Sequence, residues 1–323
     1  MPEPVRRVLA TLSTTRGRRV VNVVVTLAAL GISVLAARHF ASSGWPLQNA
    51  DPQLVVSAGL LFVLAYPLKA MGWHKLFHPS ERPQPISLAA AGGAAQVTGA
   101  ALPGRFDDVV RIAVVRRYPS CPSGVGTLTL SLFMLGLLDA AALMPISAAA
   151  AATSTGSPAV RAGLAIVAAG GLGAAAVIAL LPQLASRSRL LRFRIARWIS
   201  VRTTPLRQAW TAGLLVLASW VVRAVALFLL LAAMDISISF PLAIGFLCAA
   251  AASSALPIAP AGAATQAGAG AAMLVASGVG TQHAINFAIS AQAIMILAGA
   301  AVVIFAALWH AGGRVLARRG VPG

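Results

Sequence analysis

Acidic side chains are scarce in this sequence, which has seven Asp and Glu residues against 25 Lys and Arg. Charged residues of either sign make up only 10% of its 323 positions, whereas a soluble domain usually has about 25%. With 59% hydrophobic residues and a mean hydropathy of +0.85, the chain has too much apolar surface for water to be its main solvent. The composition excludes a separate soluble catalytic domain and predicts a protein of the lipid bilayer.

Cysteine is also rare: Cys121 lies in a basic loop and Cys248 in an apolar segment. Their separation excludes a disulfide framework and a zinc site. The five histidines are scattered, and the sequence contains no nucleotide-binding glycine motif, no HExxH and no Ser/His/Asp constellation. We therefore expect a protein that uses no metal or other cofactor and is not an enzyme.

Long apolar runs are what the sequence does contain. A membrane-spanning helix needs about 20 consecutive apolar residues, and six segments match that length. They are Val20–Ala37, Pro52–Ala70, Gly124–Ala149, Val160–Leu181, Ala209–Leu231 and Ala284–Leu308. The predicted fold class is therefore all-α: a polytopic integral membrane bundle with about six full spans.

Two further apolar regions are interrupted. Ile86–Pro103 ends in Pro-Gly-Arg, and Phe240–Ser277 is broken by the Pro-rich stretch Leu256–Gly262. If Ile86–Pro103 crossed once, the basic stretch Arg105–Arg117 would lie outside the cell, against the positive-inside rule. We expect a re-entrant element from the cytoplasm here and a hairpin from the outer face at Phe240–Ser277, for which two full crossings remain an alternative. Paired broken helices are typical of inverted-repeat transporters with a midplane site, and the pattern favours such a repeat without requiring it.

The basic residues cluster beside the apolar spans, which indicates anionic lipid headgroups rather than nucleic acid as partners. Because Val20–Ala37 is longer than a signal-peptide core, it is expected to remain as the first span. We predict one membrane domain over residues 1–323, multi-pass in the plasma (inner) membrane. Its basic N-terminus (1–19), amphipathic loop (186–207) and basic tail (310–323) are all expected to be cytoplasmic.

The densest polar cluster directly follows the Pro-Gly break and comprises Arg105, Asp107, Asp108 and Arg111. If a helix starts there, both aspartates lie in its first turn, where carboxylates suit the helix dipole. Asp107 and Arg111, four residues apart, then share one face. The cluster predicts a charged, substrate-binding mouth. An interfacial helix with an ordinary ion pair is an equal alternative.

Three more polar residues lie within apolar segments. Asp139 is central in its span, and Arg223, central in another, is its expected partner. This pair predicts a polar pathway, or alternatively a structural pair that joins two helices. Gln266 follows the second break, where it could meet a substrate headgroup or bind the freed backbone groups.

The segment Leu102–Arg111, Leu-Pro-Gly-Arg-Phe-Asp-Asp-Val-Val-Arg, resembles a stretch of a known family. It is similar to the Pro-Gly-Arg-x-Gly-Glu-x-x-Arg stretch of the lysylphosphatidylglycerol synthase transmembrane, or flippase-like, family. Asp139 matches an aspartate of that family, and Pro260–Gly262 matches its late Pro-Gly-Gly-rich loop. The resemblance covers most of the chain and implies an eight-segment membrane fold with re-entrant elements and lipid translocation.

The chain departs from this pattern at four places. Asp108 replaces the usual Glu, Asp107 replaces a Gly, and the late loop has Gln266 near the position of its usual Glu. The Glu-Arg that precedes the family's aspartate is also missing. Because the soluble aminoacyl-transferase domain is absent, we expect that the protein does not make lysyl-lipid itself.

The predicted function is a flippase or scramblase-like transporter that moves an anionic or aminoacylated phospholipid between leaflets. Its predicted substrate contacts are Arg105, Asp107, Asp108, Arg111, Asp139, Arg223 and Gln266. One alternative is a non-transporting partner or scaffold for a separate envelope-lipid enzyme. Another is a membrane transferase that uses Asp107 or Asp108 as its base.

Overall fold

Helices make up nearly all of the chain that the computed structural model describes, namely residues 46–100, 106–118, 121–153, 157–186, 206–236, 239–254 and 262–318. Within these ranges the α-helices are α1 (Pro52–Lys75), α2 (Pro85–Gly99), α3 (Phe106–Arg117), α4 (Val125–Thr153), α5 (Pro158–Ser186), α6 (Leu206–Ala233), α7 (Phe240–Ser254), α8 (Gly262–Ala276) and α9 (Thr281–Arg318). A single 3₁₀ turn, Pro79–Glu81, lies between α1 and α2. The predicted span Val20–Ala37, Arg105 and the stretches 1–19 and 187–205 lie outside the described residues.

Five of these helices, α1, α4, α5, α6 and α9, are long and apolar enough to cross a bilayer. They correspond to five of the six predicted spans, and the described chain contains no strand. The predicted all-helical, polytopic membrane fold is confirmed. Most of the helices extend past the apolar runs, because helical hydrogen bonding continues through polar residues that hydropathy counts as loop.

The helix α1 shows how its ends are fixed. The Asp51 carboxylate accepts from the backbone N–H groups of Gln53 and Leu54, and Pro52 occupies the first turn, where it needs no hydrogen-bond partner. At the other end the helix continues to Lys75, where basic side chains suit the negative end of the helix dipole. The helix therefore extends five residues past the predicted span Pro52–Ala70.

A pair of short helices flanks each predicted break. The helices α2 and α3 pack against each other on either side of residues 101–105, and α7 and α8 do so on either side of residues 255–261. Three of the four have 15 residues and α3 has 12. A 15-residue helix is about 22 Å long, short of the roughly 30 Å hydrocarbon core. The two broken elements are therefore present as pairs of short helices.

The order of elements repeats: a long helix, a short pair and a second long helix occur as α1 to α4 and again as α6 to α9. The counterparts α1 and α6 pack along their length in opposite directions. At one end the Asp51 N–H donates to the Ala233 carbonyl over 3.0 Å, and at the other Gly72 lies against Ala212 and Val216. The helix α9 packs on α2, and its counterpart α4 packs on α7. This arrangement is that of an inverted repeat.

The contact of α9 with the first short pair is the closest of these crossings. A Cβ atom added at Gly93 would lie 2.5 Å from the Gly299 carbonyl oxygen, and one added at Gly299 would lie 2.9 Å from the Gly93 oxygen. Only glycine lets two helix backbones approach so closely. This contact fixes α2 on α9, one turn from the position where Tyr66 of α1 reaches α9.

Candidate functional site

An ion pair joins two of the long helices. Lys69 of α1 and Asp139 of α4 approach to 2.7 Å between Nζ and Oδ2. Asp139 follows 14 residues of α4 and precedes another 14, so it lies at the middle of an apolar helix. About one fifth of each side chain remains accessible, 19% for Lys69 and 23% for Asp139. The pair is therefore not sealed within the protein.

The predicted pairing of Asp139 with Arg223 is wrong. The helix α6 instead turns Trp220 toward α4, and its indole Nε1 donates to the Asp139 Oδ1 over 2.9 Å. The Arg223 guanidinium lies over the rings of Trp220, at 5.4 Å from the centroid, and Tyr66, at 5.5 Å. Because Trp220 and Arg223 are three residues apart on one helical face, the indole stands between the guanidinium and the carboxylate.

The described residues of the predicted charged mouth form ion pairs on one helix. The helix α3 begins at Phe106, with Asp107 and Asp108 in its first turn. Both carboxylates reach Arg111: Asp107 Oδ2 lies 3.3 Å from Nη2, and Asp108 Oδ1 lies 2.9 Å from Nη1. The pairing of Asp107 with Arg111 is confirmed, and Asp108 joins it through the i,i+3 spacing.

The charged residues of α3 and of the long helices are linked by packing. The helix α3 packs against α4, which contains Asp139. Lys69 of α1 and Arg223 of α6 lie over the same Trp220 ring, at 5.3 and 5.4 Å from its centroid. The Tyr66 hydroxyl donates to the Met295 carbonyl of α9. We use the name charged cluster for the set Lys69, Asp107, Asp108, Arg111, Asp139 and Arg223, together with the rings of Tyr66 and Trp220. Five of the seven predicted site residues belong to it.

Gln266 has a different environment. It lies on α8, where its Oε1 accepts from Gln292 Nε2 of α9 over a long 3.4 Å. Gln292 is buried, and its own Oε1 has no hydrogen-bond partner in the described part of the chain. No described contact joins Gln266 to the charged cluster. This interaction connects the second short pair to α9.

Lys69, Tyr66 and Trp220 were missed at the level of sequence. Lys69 lies near the end of the predicted span Pro52–Ala70, and no motif of the sequence marks it as a site residue. The helical spacing contained the missing signal: Tyr66, Lys69 and Trp73 recur at three and four residues, which places them on one face of α1. Trp73 Nε1 in turn donates to Ser131 Oγ of α4 over 2.9 Å, so this face lies along α4.

No set of three His, Cys, Asp or Glu side chains within the described ranges could hold a metal ion. Cys121 and Cys248 are both free thiols, on different elements. The charged cluster is the part of these ranges where cations, carboxylates and aromatic rings lie together.

These features define a polytopic helical membrane protein with two pairs of short helices and a charged cluster between its long helices. The model of the lysylphosphatidylglycerol synthase TM region matches residues 19–316. The chain belongs to this family and has a role connected with membrane lipids. No curated protein and no solved structure matched it. The family predicted from the Pro-Gly-Arg stretch is thus confirmed.

Proposed function

We propose that this protein is a flippase or scramblase-like transporter that moves a phospholipid with an anionic or aminoacylated headgroup between leaflets of the plasma membrane. In this proposal it is not an enzyme, and both termini face the cytoplasm. Arg105 and the α3 residues Asp107, Asp108 and Arg111 receive the headgroup. The charged side chains of α1, α4 and α6 carry it through the apolar region.

The partly accessible Lys69–Asp139 pair is the observation that supports this proposal most. A charged side chain at the centre of a membrane helix costs about 2.5–3.5 kcal/mol on insertion scales, so it is rare there unless it faces a partner or a polar pathway. Burial strengthens the attraction within such a pair but also removes both charges from polar surroundings. The one fifth of each side chain that stays accessible suits a headgroup that approaches between the helices.

The source of free energy follows from what the sequence lacks. No ATPase motif is present, so the movement is downhill or coupled to an ion gradient. The apolar part of the lipid stays in the bilayer, and only the headgroup needs polar contacts. The charged cluster supplies both signs of charge for it.

Leaflet exchange of fluorescent phospholipids in proteoliposomes tests the proposal. We expect wild type to accelerate exchange and Asp139→Asn to abolish most of the acceleration, because the Lys69 ammonium loses its counter-charge. Asp235→Asn is the matched control, since Asp235 lies in an exposed turn with φ 52°, a conformation that asparagine also adopts.

Either outcome decides between the two main functions. Exchange in wild type and in Asp235→Asn, but not in Asp139→Asn, supports transport through the charged cluster. Folded wild type that moves no lipid with any of several headgroups contradicts the proposal. The scaffold function would then be favoured, and a stoichiometric enzyme that co-purifies with the protein would support it.

A further inference from the structure

Arg223 differs from the other cations of the charged cluster in its partners. Lys69 is paired with Asp139, and Arg111 is shared by Asp107 and Asp108. Within the described ranges, Arg223 has neither a carboxylate within 4.0 Å nor a hydrogen-bond acceptor, although its guanidinium has five N–H donors. A half-buried cation in an apolar helix without a counter-ion leaves room for an anion from outside the chain.

Two aromatic rings hold this guanidinium, and each ring is itself fixed at its polar end. The Tyr66 hydroxyl donates to the Met295 carbonyl of α9 over 3.3 Å. The Trp220 indole donates to Asp139 of α4 over 2.9 Å. Both rings lie within 5.5 Å of the guanidinium carbon, within the range of a cation–π interaction. The rings orient the Arg223 guanidinium and leave its N–H donors available.

We infer that Arg223 binds the phosphate group of the transported ligand and that Tyr66 and Trp220 are its positioning residues. The inference rests on the proposed function and names the ligand chemistry of the same site. Phosphate fits because the planar guanidinium donates two parallel N–H bonds to two oxygens, a match that an ammonium lacks. Lys69, 5.3 Å from the same Trp220 ring, adds a second positive charge nearby, although Asp139 compensates it.

Binding by purified protein in detergent tests the inference without requiring transport. The probes are dioleoylphosphatidylglycerol, dioleoylglycerol with the same chains but no phosphate, and inorganic phosphate alone, with bound ligand counted by native mass spectrometry. Wild type should bind the phosphatidylglycerol at least tenfold more tightly than the dioleoylglycerol. The Arg223→Gln variant should lose that difference, and Arg223→Lys should retain part of it.

Arg161→Gln serves as the matched control, because Arg161 is an exposed arginine of the long helix α5. It should bind phosphatidylglycerol within twofold of wild type. Equal affinity of wild type and Arg223→Gln for this lipid would overturn the inference. If Arg223→Gln does not fold, the Arg223→Lys variant tests the inference instead. Lysine lacks the two parallel N–H donors of the guanidinium, so an unchanged affinity of this variant for phosphatidylglycerol would also overturn the inference.

The positioning residues need a readout that a merely structural role would not change. Trp220→Phe keeps a ring and loses the hydrogen bond, whereas Trp220→Leu loses both. At matched melting temperature, we expect Phe to restore most of the phosphatidylglycerol binding that Leu loses. At Tyr66, the Phe variant should likewise keep most of the phosphatidylglycerol binding that the Leu variant loses. Equal loss in the Phe and Leu variants would exclude the rings as positioning groups.

The remaining outcomes distinguish a lipid headgroup from free phosphate as the ligand, and the phosphate site from the transport function. Binding of phosphatidylglycerol without a response to inorganic phosphate assigns the site to a lipid headgroup. A response to inorganic phosphate alone assigns it to a free phosphate. Wild type that exchanges lipid, together with normal binding by Arg223→Gln, overturns the role of Arg223 and leaves transport intact. Arginine-dependent binding in a protein that exchanges nothing supports the phosphate site and contradicts transport.

Discussion

The two pairs of short helices have the same place in the repeat but opposite chemistry. The first pair, α2 and α3, ends in a helix with Asp107, Asp108 and Arg111. From Ile236 to Gly313, the stretch that contains α7, α8 and most of α9, there is no Asp, Glu, Lys or Arg. One architecture thus contains charged side chains in the first short pair and none in the second.

The two pairs of short helices also differ in the kind of contact that holds them. Beside the first pair, α2 meets α9 backbone to backbone at Gly93 and Gly299. In the second pair, side chains fill the gap: Phe246 of α7 covers Gly270 of α8 and meets Phe287 edge to face at 5.1 Å. A cavity of about 360 Å³, with mostly apolar walls, adjoins this pair between α5, α7 and α8. The first pair is thus held by a contact between backbones, whereas the second pair is held by contacts between side chains and glycine.

The largest expected effect tests whether stability depends on charge in one half only. Asp139→Ala removes the partner of Lys69 and the hydrogen-bond acceptor of Trp220. We therefore expect the free energy of unfolding to fall by about 3 kcal/mol, the low end for breaking a buried ion pair. Gln292→Leu in the other half should change the free energy of unfolding by less than about 1 kcal/mol. Its Oε1 has no partner within the described ranges, and its Nε2 donates only a long 3.4 Å hydrogen bond to Gln266. Unfolding in mixed detergent micelles measures both. Equal costs would show that the two halves do not differ.

The second prediction sharpens the packing comparison. At Gly93 an added methyl group meets the Gly299 backbone, so Gly93→Ala should lower the free energy of unfolding by about 1–3 kcal/mol. At Gly245 it meets only the flexible end of the Met273 side chain, so Gly245→Ala should cost less than about 1 kcal/mol. Gly92→Ala is the neighbouring control, since its nearest contact would be an ordinary 3.6 Å to Tyr66. A Gly245→Ala cost that equals the Gly93→Ala cost would contradict this difference between the two pairs.

The smallest expected effect concerns function. Arg111→Gln removes the cation shared by two carboxylates at the mouth, and we expect leaflet exchange to slow about tenfold, equivalent to 1.4 kcal/mol. Gln266→Leu removes only a long hydrogen bond to Gln292, so exchange should stay within about twofold. Stopped-flow exchange at matched protein density measures both variants. A greater loss in Gln266→Leu would move the headgroup site to the second pair.

Hydropathy and spacing predicted the parts of the structure that are local. Five spans followed from apolar runs, and the Asp107–Arg111 pair followed from a separation of four residues on one helix. The Pro-Gly-Arg stretch led to the family. Each of these features depends on residues within one helical turn, on the length of one helix or on a short motif, and the sequence alone contains that information.

The partners across helices could not be predicted in the same way. Whether Asp139 meets Lys69 or Arg223 depends on how α1 and α6 rotate against α4, and a helix rotates by about 100° for each residue. Trp220, only three residues from Arg223, has the contact that was assigned to the arginine. Lys69 stands near the end of the predicted span Pro52–Ala70, and only the packing of the helices shows that it reaches Asp139.

The antiparallel contact between α1 and α6 has a further consequence. Two counterparts that pack on each other in opposite directions form the same geometry as the interface of a two-fold dimer. In a dimer of identical halves, every residue at the axis would appear twice, and a lysine there would face its own copy. Because one chain contains both halves, Lys69 on α1 can face Trp220 and Arg223 on α6. Covalent linkage is what permits a single polarised site on a symmetric scaffold.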